Sequence, residues 1–374
     1  MAKRFVKFKT IIPWSLLFNI TILALTIVLV LYFIFSEGGF LDLLNSGYRL
    51  SIIWLLIAIF VHVLNIALDM TVIYLFTKES CPEMTIYKAF ICSMTGQFYC
   101  AVTPSATGGQ PMQILAMSRM GIKPSITTAT LIQKFLVWQF TLTTACIIAV
   151  VARFGMFSEK MGAPMLVATI LGFSMQVFMI IVLLLASFCK PLTKKIVRFL
   201  LKTGAKIHIV KNVDEKITGI EETLDSFHEN NKKLNKNKKL LVKVYSITAV
   251  QMVAYFLVPY CIAKAFYIDC NAFDMLCSQA YVSMVSSLVP LPGGSGAAES
   301  SFLVFFQDIF DADKMKSAIL LWRTITYYGT IAFTAPFARL QTKKTMELEK
   351  LEEEEEAREK AESENEASVE AVSH

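Results

Sequence analysis

Apolar runs about as long as a membrane is thick alternate with short polar joints along this chain. Six runs are full length: Trp14–Phe35, Ser51–Phe76, Ile126–Val151, Ala163–Phe188, Leu241–Phe266 and Lys316–Leu340. About 20 apolar residues in a helix span a hydrocarbon core of roughly 30 Å, so each run predicts a transmembrane helix. Two more apolar stretches, Thr85–Met120 and Ala272–Phe306, do not fit that length. Each is cut midway by a Pro/Gly loop, "TPSATGGQP" from Thr103 and "PLPGGSGAAE" from Pro290. Only about ten residues of helix follow each cut, about 15 Å, or half a bilayer. These stretches predict re-entrant hairpins that reach the midplane and return. Irregular backbone at that depth is tolerated where protein buries it or where it lines a watery cavity. The predicted fold is an all-α integral membrane protein with six full spans plus two re-entrant broken hairpins.

The two breaks repeat one another. "PSATGGQP" aligns on "PGGSGAAE" with an offset of 188 residues, pairing Pro104 with Pro292, Thr107 with Ser295, Gly108 with Gly296 and Gly109 with Ala297. The same shift carries the span at Ser51 to the start of the span at Leu241, and the span near Pro124 to one just after residue 312. Each repeat is span, broken hairpin, span, over about 51–151 and 241–340. The crossing Ala163–Phe188 lies between them and inverts the second copy. Paired Gly/Pro-interrupted segments in inverted halves point to a transporter's central site.

Charge orients this frame. The N-terminus carries Lys3, Arg4, Lys7 and Lys9, and 190–243 holds fourteen Lys/Arg, whereas the joints predicted outside are poor in both. With six crossings and two hairpins, the N-terminus, the C-terminus and the basic segment all fall in the cytoplasm, as the positive-inside rule asks. The chain divides into a polytopic membrane domain, 1–340, and a charged, partly disordered cytoplasmic tail, 341–374. Within the first, 190–240 reads as an amphipathic helix and a polar hairpin lying on the anionic inner leaflet. The composition agrees: 55% hydrophobic, with a mean hydropathy of +0.54. The formal charge of +6 is no nucleic-acid signature, because the basic residues cluster beside the spans. None of the eight cysteines forms a C-x-x-C pair, and several lie inside apolar runs, where Cys acts as a small hydrophobe. No metal or cofactor is expected, and there is no Walker loop, zinc-protease motif or nucleophile elbow.

Candidate chemistry gathers at the breaks. A short helix that begins at the midplane aims its free N–H groups and positive dipole end into the site, which suits an anion, phosphate above all. The site residues expected there are Thr103, Pro104, Ser105, Thr107, Gly108, Gly109, Gln110, Pro292, Gly293, Gly294, Ser295, Gly296 and Glu299. Lys134 lies thirty residues after Pro104 and Arg323 thirty-one after Pro292, each inside a span. Cations at membrane depth are rare and face a cavity or a partner. Asn65 and Asp69 share one face of the second span, with His62 a turn earlier, and either line the cavity or bond neighbouring helices. The other readings stay open: Thr107 and Gln110 as a capping box, Pro111 as the first residue of a helix, Glu299 as an acid offsetting the dipole, and Lys134 and Arg323 paired with Asp69 or Glu299. Tyr327, Tyr281, Gln97 and Gln251 are read as packing residues.

On "TPSATGGQPMQILAM" and "LVPLPGGSGAAESSFL", the chain resembles the lysylphosphatidylglycerol synthase transmembrane family, also called flippase-like, over about residues 10–340. The resemblance implies a bacterial plasma-membrane protein that moves a phosphate-containing, sometimes aminoacylated, lipid between leaflets. It also implies membrane phospholipid or glycolipid as partner and a separate lipid-modifying enzyme as a possible second one. Family members commonly carry an acid–arginine pair in the span after the first motif; here that place reads Gln133-Lys134. The lysyl-transferring domain that follows the membrane part in larger relatives is not expected after Leu340. The alternatives are a phosphatidylglycerol lysyltransferase, with its part in cationic-peptide resistance, or a scaffold for envelope assembly.

Overall fold

The computed structural model describes residues 49–158, 162–191, 193–195 and 213–338. The predicted span Trp14–Phe35 and the tail lie outside the described residues. Those that are described form helices and joints, with no strand.

In chain order the helices are α1 (Ile52–Ser80), α2 (Ile86–Val102), α3 (Gly109–Arg119), α4 (Pro124–Ser158), α5 (Ala163–Phe188), α6 (Val213–Lys236), α7 (Lys238–Phe256), α8 (Val258–Ala265), α9 (Ala272–Ser286), α10 (Ala297–Phe306) and α11 (Ala312–Arg323). α1, α4, α5 and the α7–α8 pair are long and apolar enough to cross a membrane. The run 241–266, read as one span, is two helices that meet at Leu257. Pro259 explains the division: it has no N–H to give the turn before it. The last predicted span begins at Ala312 and passes through a π-helical turn, Thr324–Tyr328, before helix resumes over 329–338.

Caps start the helices at the joints. Thr85 accepts the Lys88 N–H at 3.2 Å ahead of α2, and Asn271 accepts the Phe273 N–H at 2.8 Å ahead of α9. Two bundle ends can be told apart by contact. At one, Thr77 in the last turn of α1 donates to Thr130 near the start of α4, at 3.4 Å. At the other, the Ser51 N–H ahead of α1 donates to Ala265 O at the end of α8, at 2.9 Å. At this second end Arg153 also pairs with Asp274 at 2.5 Å, and the Phe266 and Phe310 rings meet.

The largest core joins α8, α9, α10 and α11 through Phe302, Phe306, Phe310 and Trp322. A second cluster packs Val72 and Phe76 of α1 with Val137 of α4, Leu234 of α6 and Val244 of α7. Within the segment 190–240, this corrects the reading of the part from 213 on as a polar hairpin lying on the leaflet; 196–212, most of the expected amphipathic helix, lie outside the described residues. α6 turns Phe227, Asn231 and Leu234, spaced at four and three residues, into the bundle. That spacing is one face of a helix, and Asn231 donates to Ser187 O at 2.7 Å.

Candidate functional site

The offset of 188 recurs in backbone geometry. The first break is a 3-10 turn over Pro104–Ala106 and the second one over Pro292–Gly294. α3 begins at Gly109 and α10 at Ala297; α4 begins at Pro124 and α11 at Ala312. Ser105 and Ala106 have φ of 50° and 54°, and their counterparts Gly293 and Gly294 have 63° and 62°. Two consecutive left-handed residues are therefore built twice, once on glycine and once on residues that bear a Cβ. Each L-residue in that region costs about 1–2 kcal/mol. Thr107 Oγ1 donates to Pro104 O at 2.9 Å, and Ser295 Oγ donates to Pro292 O at 2.8 Å. The conserved geometry is thus proline carbonyl, two left-handed residues, then a hydroxyl that closes the turn. Pro104, Ser105 and Thr107 are exposed, so the first break opens onto solvent-sized space. The two breaks touch one another.

The helix N-termini are less free than the sequence suggests. At α3, Thr103 Oγ1 accepts the Gly108 N–H at 2.9 Å, and the Cys100 thiol donates to Ala106 O at 3.6 Å. Thr103 in turn donates to Tyr99 O at 2.5 Å. A Cβ on Gly109 would stand 2.1 Å from Cys100 Sγ and 3.2 Å from Gly96 O, so this glycine serves the close approach of α3 to α2. Gln113 of α3 donates to Cys92 O of α2 at 3.1 Å, fixing the same pair one turn deeper. At α10, Glu299 Oε2 accepts the Gly296 N–H at 2.6 Å. The acid does offset the dipole end, and it occupies the anion position there. Thr107 and Gln110 form no capping box: Thr107 turns back to Pro104. Helix begins at Gly109, which puts Pro111 third, where its missing N–H leaves no bond unmade. Gln110, half-buried, is the second residue of α3.

Both membrane cations are paired, each differently. Lys134 Nζ lies 2.6 Å from Asp69 Oδ1, and Ser93 donates to Asp69 Oδ2 at 2.8 Å. This unit ties α1, α2 and α4 together and leaves the Lys134 side chain 21% exposed. Arg323 Nε donates to Glu299 Oε1 at 2.6 Å and Nη1 to Gly293 O at 2.9 Å, while Nη2 is buried without a partner. The guanidinium lies over the Trp322 and Tyr327 rings, 5.0 and 5.4 Å from their centroids. The expected near-equivalence of the two cations does not hold in detail. The 188 shift carries Lys134 onto Trp322, and one residue is about 100° around a helix. Lys134 pairs between spans, whereas Arg323 pairs with the short helix of its own break.

Other residues divide between the two neighbourhoods. His62 Nε2 meets Thr330 Oγ1 at 2.8 Å, and Asn65 is buried with Oδ1 unpartnered. Gln133 turns away from Lys134 and donates to Asn231 of α6. Tyr327, read as packing, belongs to the site: its ring covers Gly293, where a Cβ would stand 2.4 Å away, and its OH donates to Ala101 O beside the first break, at 3.1 Å. Its position four residues after Arg323 is the signal that could have found it. Ser93 and Cys100 carried no such signal. Among the described residues no group of three His, Cys, Asp or Glu is placed to hold a metal.

Helices of membrane length that surround broken helices and buried ion pairs define a multi-pass, all-helical membrane protein. The chain belongs to the family described as the lysylphosphatidylglycerol synthase TM region, which it matches over residues 17–333. It is similar to a UPF0104 membrane protein of Archaeoglobus fulgidus, 24% identical over 263 residues that cover 68% of this chain and 76% of that protein.

Proposed function

We propose that the protein is a flippase-like translocator that carries a phosphate-containing lipid, aminoacylated headgroups included, between the leaflets. The observation that carries this reading is the meeting of two equivalent helix breaks, the second of them held by the buried Arg323–Glu299 pair. The chain leaves α1 and enters α4 at one end, where Thr77 meets Thr130, and α2 and α3 lie between. It leaves α8 and enters α11 at the other end, where Phe266 meets Phe310. This supports two re-entrant hairpins from opposite faces, arranged as an inverted repeat within six full spans. Lys78, Lys88, Arg119, Lys123, Lys190 and Lys194 cluster at the first end, which favours that end as cytoplasmic.

In this reading the lipid phosphate competes with the protein's own carboxylates. Glu299 holds the N-terminus of α10 and Arg323 together while the site is empty of lipid. An arriving phosphate takes the Arg323 Nη2 donor, then displaces Glu299, whose side chain is 34% exposed. Lys134 and Asp69 offer a second carboxylate-for-phosphate exchange between α1 and α4. Rocking of the repeats then exposes the headgroup to either face.

Proteoliposomes with fluorescent phosphatidylglycerol, phosphatidylethanolamine or lysylphosphatidylglycerol test this, with dithionite bleaching to read the outer leaflet. Exchange is expected for at least one headgroup and is lost in Lys134→Ala plus Arg323→Ala. Exchange that survives the double variant overturns the site, and no exchange with any headgroup overturns translocation. Lysyl-tRNA-dependent formation of lysylphosphatidylglycerol by the purified chain would replace it with the lysyltransferase reading.

A further inference from the structure

Away from the helix breaks, a cavity of about 310 Å³ opens at the end of the bundle where α5 finishes. Its walls include Ser125, Thr128 and Ile132 of α4, Ala186 of α5, and Leu224 and Phe227 of α6. We propose that this cavity binds an acyl chain of an anionic phospholipid, whose phosphate is held at the mouth by Lys190 and Lys194.

Three observations carry the proposal independently of translocation. The first is chemistry: the wall is hydrocarbon apart from the hydroxyls of Ser125, Thr128 and Thr193, and the volume is that of a small-molecule site. The second is continuity with the lipid. Leu185 and Phe188, one residue before Ala186 and two after it, are both exposed on a helix of membrane-crossing length, while Ser187 between them is buried, so the cavity lies at the edge between the bundle and the bilayer. The third is charge. Lys190 and Lys194 lie 3.1 and 2.7 Å from the same Asp225 oxygen, so two ammonium groups share one carboxylate at the level where the apolar span ends. A positive charge remains in excess there. Clustered lysines just beyond a span select anionic headgroups over zwitterionic ones. α6 is thereby the cover of a lipid site, with Phe227 against the chain and Asp225 beside the phosphate.

The test places a reporter in the wall. Phe227→Trp, in bilayers of phosphatidylcholine with a minor fraction of acyl-brominated phosphatidylglycerol, is expected to lose several-fold more emission than with the same fraction of brominated phosphatidylcholine, after subtraction of the unsubstituted protein. Lys190→Gln with Lys194→Gln should bring the two lipids to equality. Equal quenching with both lysines present overturns the headgroup assignment, and no quenching by either lipid overturns the cavity. Should Phe227→Trp not fold, lipid mass spectrometry decides. The unsubstituted chain should retain one more phosphatidylglycerol than Ala186→Phe, which fills the cavity. Equal retention overturns the proposal.

Discussion

Arg323 and Glu299 form a bridge that closes the second helix break on itself. The guanidinium reaches Glu299 Oε1 at 2.6 Å and Gly293 O at 2.9 Å, and the other Glu299 oxygen takes the Gly296 N–H. One ion pair therefore clamps both ends of the loop 293–296 to α11. The partners are unequally exposed: the Arg323 side chain is 8% accessible and that of Glu299 34%. Loss of the acid strands a buried cation, whereas loss of the cation leaves an acid that water can reach. A stranded buried partner costs about 3–5 kcal/mol. Glu299→Ala is therefore expected to lower stability more than Arg323→Met, with the double variant costing less than the sum. Unfolding in detergent for the four proteins of the cycle measures this; additive losses would show that the pair is not coupled.

The left-handed pairs give a prediction of opposite sign in the two repeats. Ala106 holds φ 54° with a Cβ, while its counterpart Gly294 holds 62° without one. Ala106→Gly removes a backbone cost of about 1–2 kcal/mol and adds an unfolded-state entropy cost of about 0.5–1 kcal/mol. The net change is expected to be neutral to slightly stabilising. Gly294→Ala adds the first cost and sets a Cβ 2.9 Å from Ser286 O, so it should destabilise by more than about 1 kcal/mol. Thermal unfolding of the two variants side by side checks the contrast.

Much of this frame was legible in the chain because apolar run length and Pro/Gly punctuation are local signals. The breaks, the ten-residue helices that follow them and the offset of 188 all came from such signals. The partners of Lys134 and Arg323 were open alternatives, because which of two nearby acids a cation meets depends on helix rotation. The roles of Gly109 and Ser93 were out of reach for the same reason: each is defined by a neighbour on another helix. The docking of α6 is hard to read because, among its described side chains 224–236, the buried face is three residues, Phe227, Asn231 and Leu234, in a strongly charged helix. Its docking is decided by Gln133 and Ser187, far away in sequence.

The Lys134–Asp69–Ser93 unit predicts graded effects. Ser93 donates to a buried carboxylate at 2.8 Å, and hydrogen bonds to charged groups contribute about 1.5–3 kcal/mol. Ser93→Ala should cost about that much while leaving the Lys134 contact in place. Asp69→Asn should cost more, since it leaves the Lys134 ammonium without its counter-charge inside the bundle. Ser93→Thr keeps the hydroxyl and should recover most of the loss. Unfolding midpoints in one detergent order the three variants; a Ser93→Ala protein as stable as the unsubstituted chain would remove the serine from the unit.

Docking of α6 is expected to weaken as pH falls, in two stages. His228 on α6 lies 3.3 Å from Ser187 O, and burial lowers its pKa below the ordinary 6.5, aided by Lys190 and Lys194 and opposed by the Ser187 hydrogen bond and Asp225. A depressed pKa means that the released helix binds the proton more readily than the docked one. The stability linked to His228 is thus fully present above about pH 6.5 and is lost as pH falls from there through the lowered value. Asp225 follows at lower pH. Hydrogen bonds from Lys194 and Lys190 hold its carboxyl below the usual 3.8, so its contribution disappears only as pH falls through that depressed value. Amide exchange over 213–236, corrected for the intrinsic pH dependence, should therefore show less protection at pH 5 than at pH 7, and less again below about pH 4. His228→Gln can still donate to Ser187 O but cannot titrate. It should flatten the first stage and leave the second; a first stage unchanged in that variant would assign it to another group.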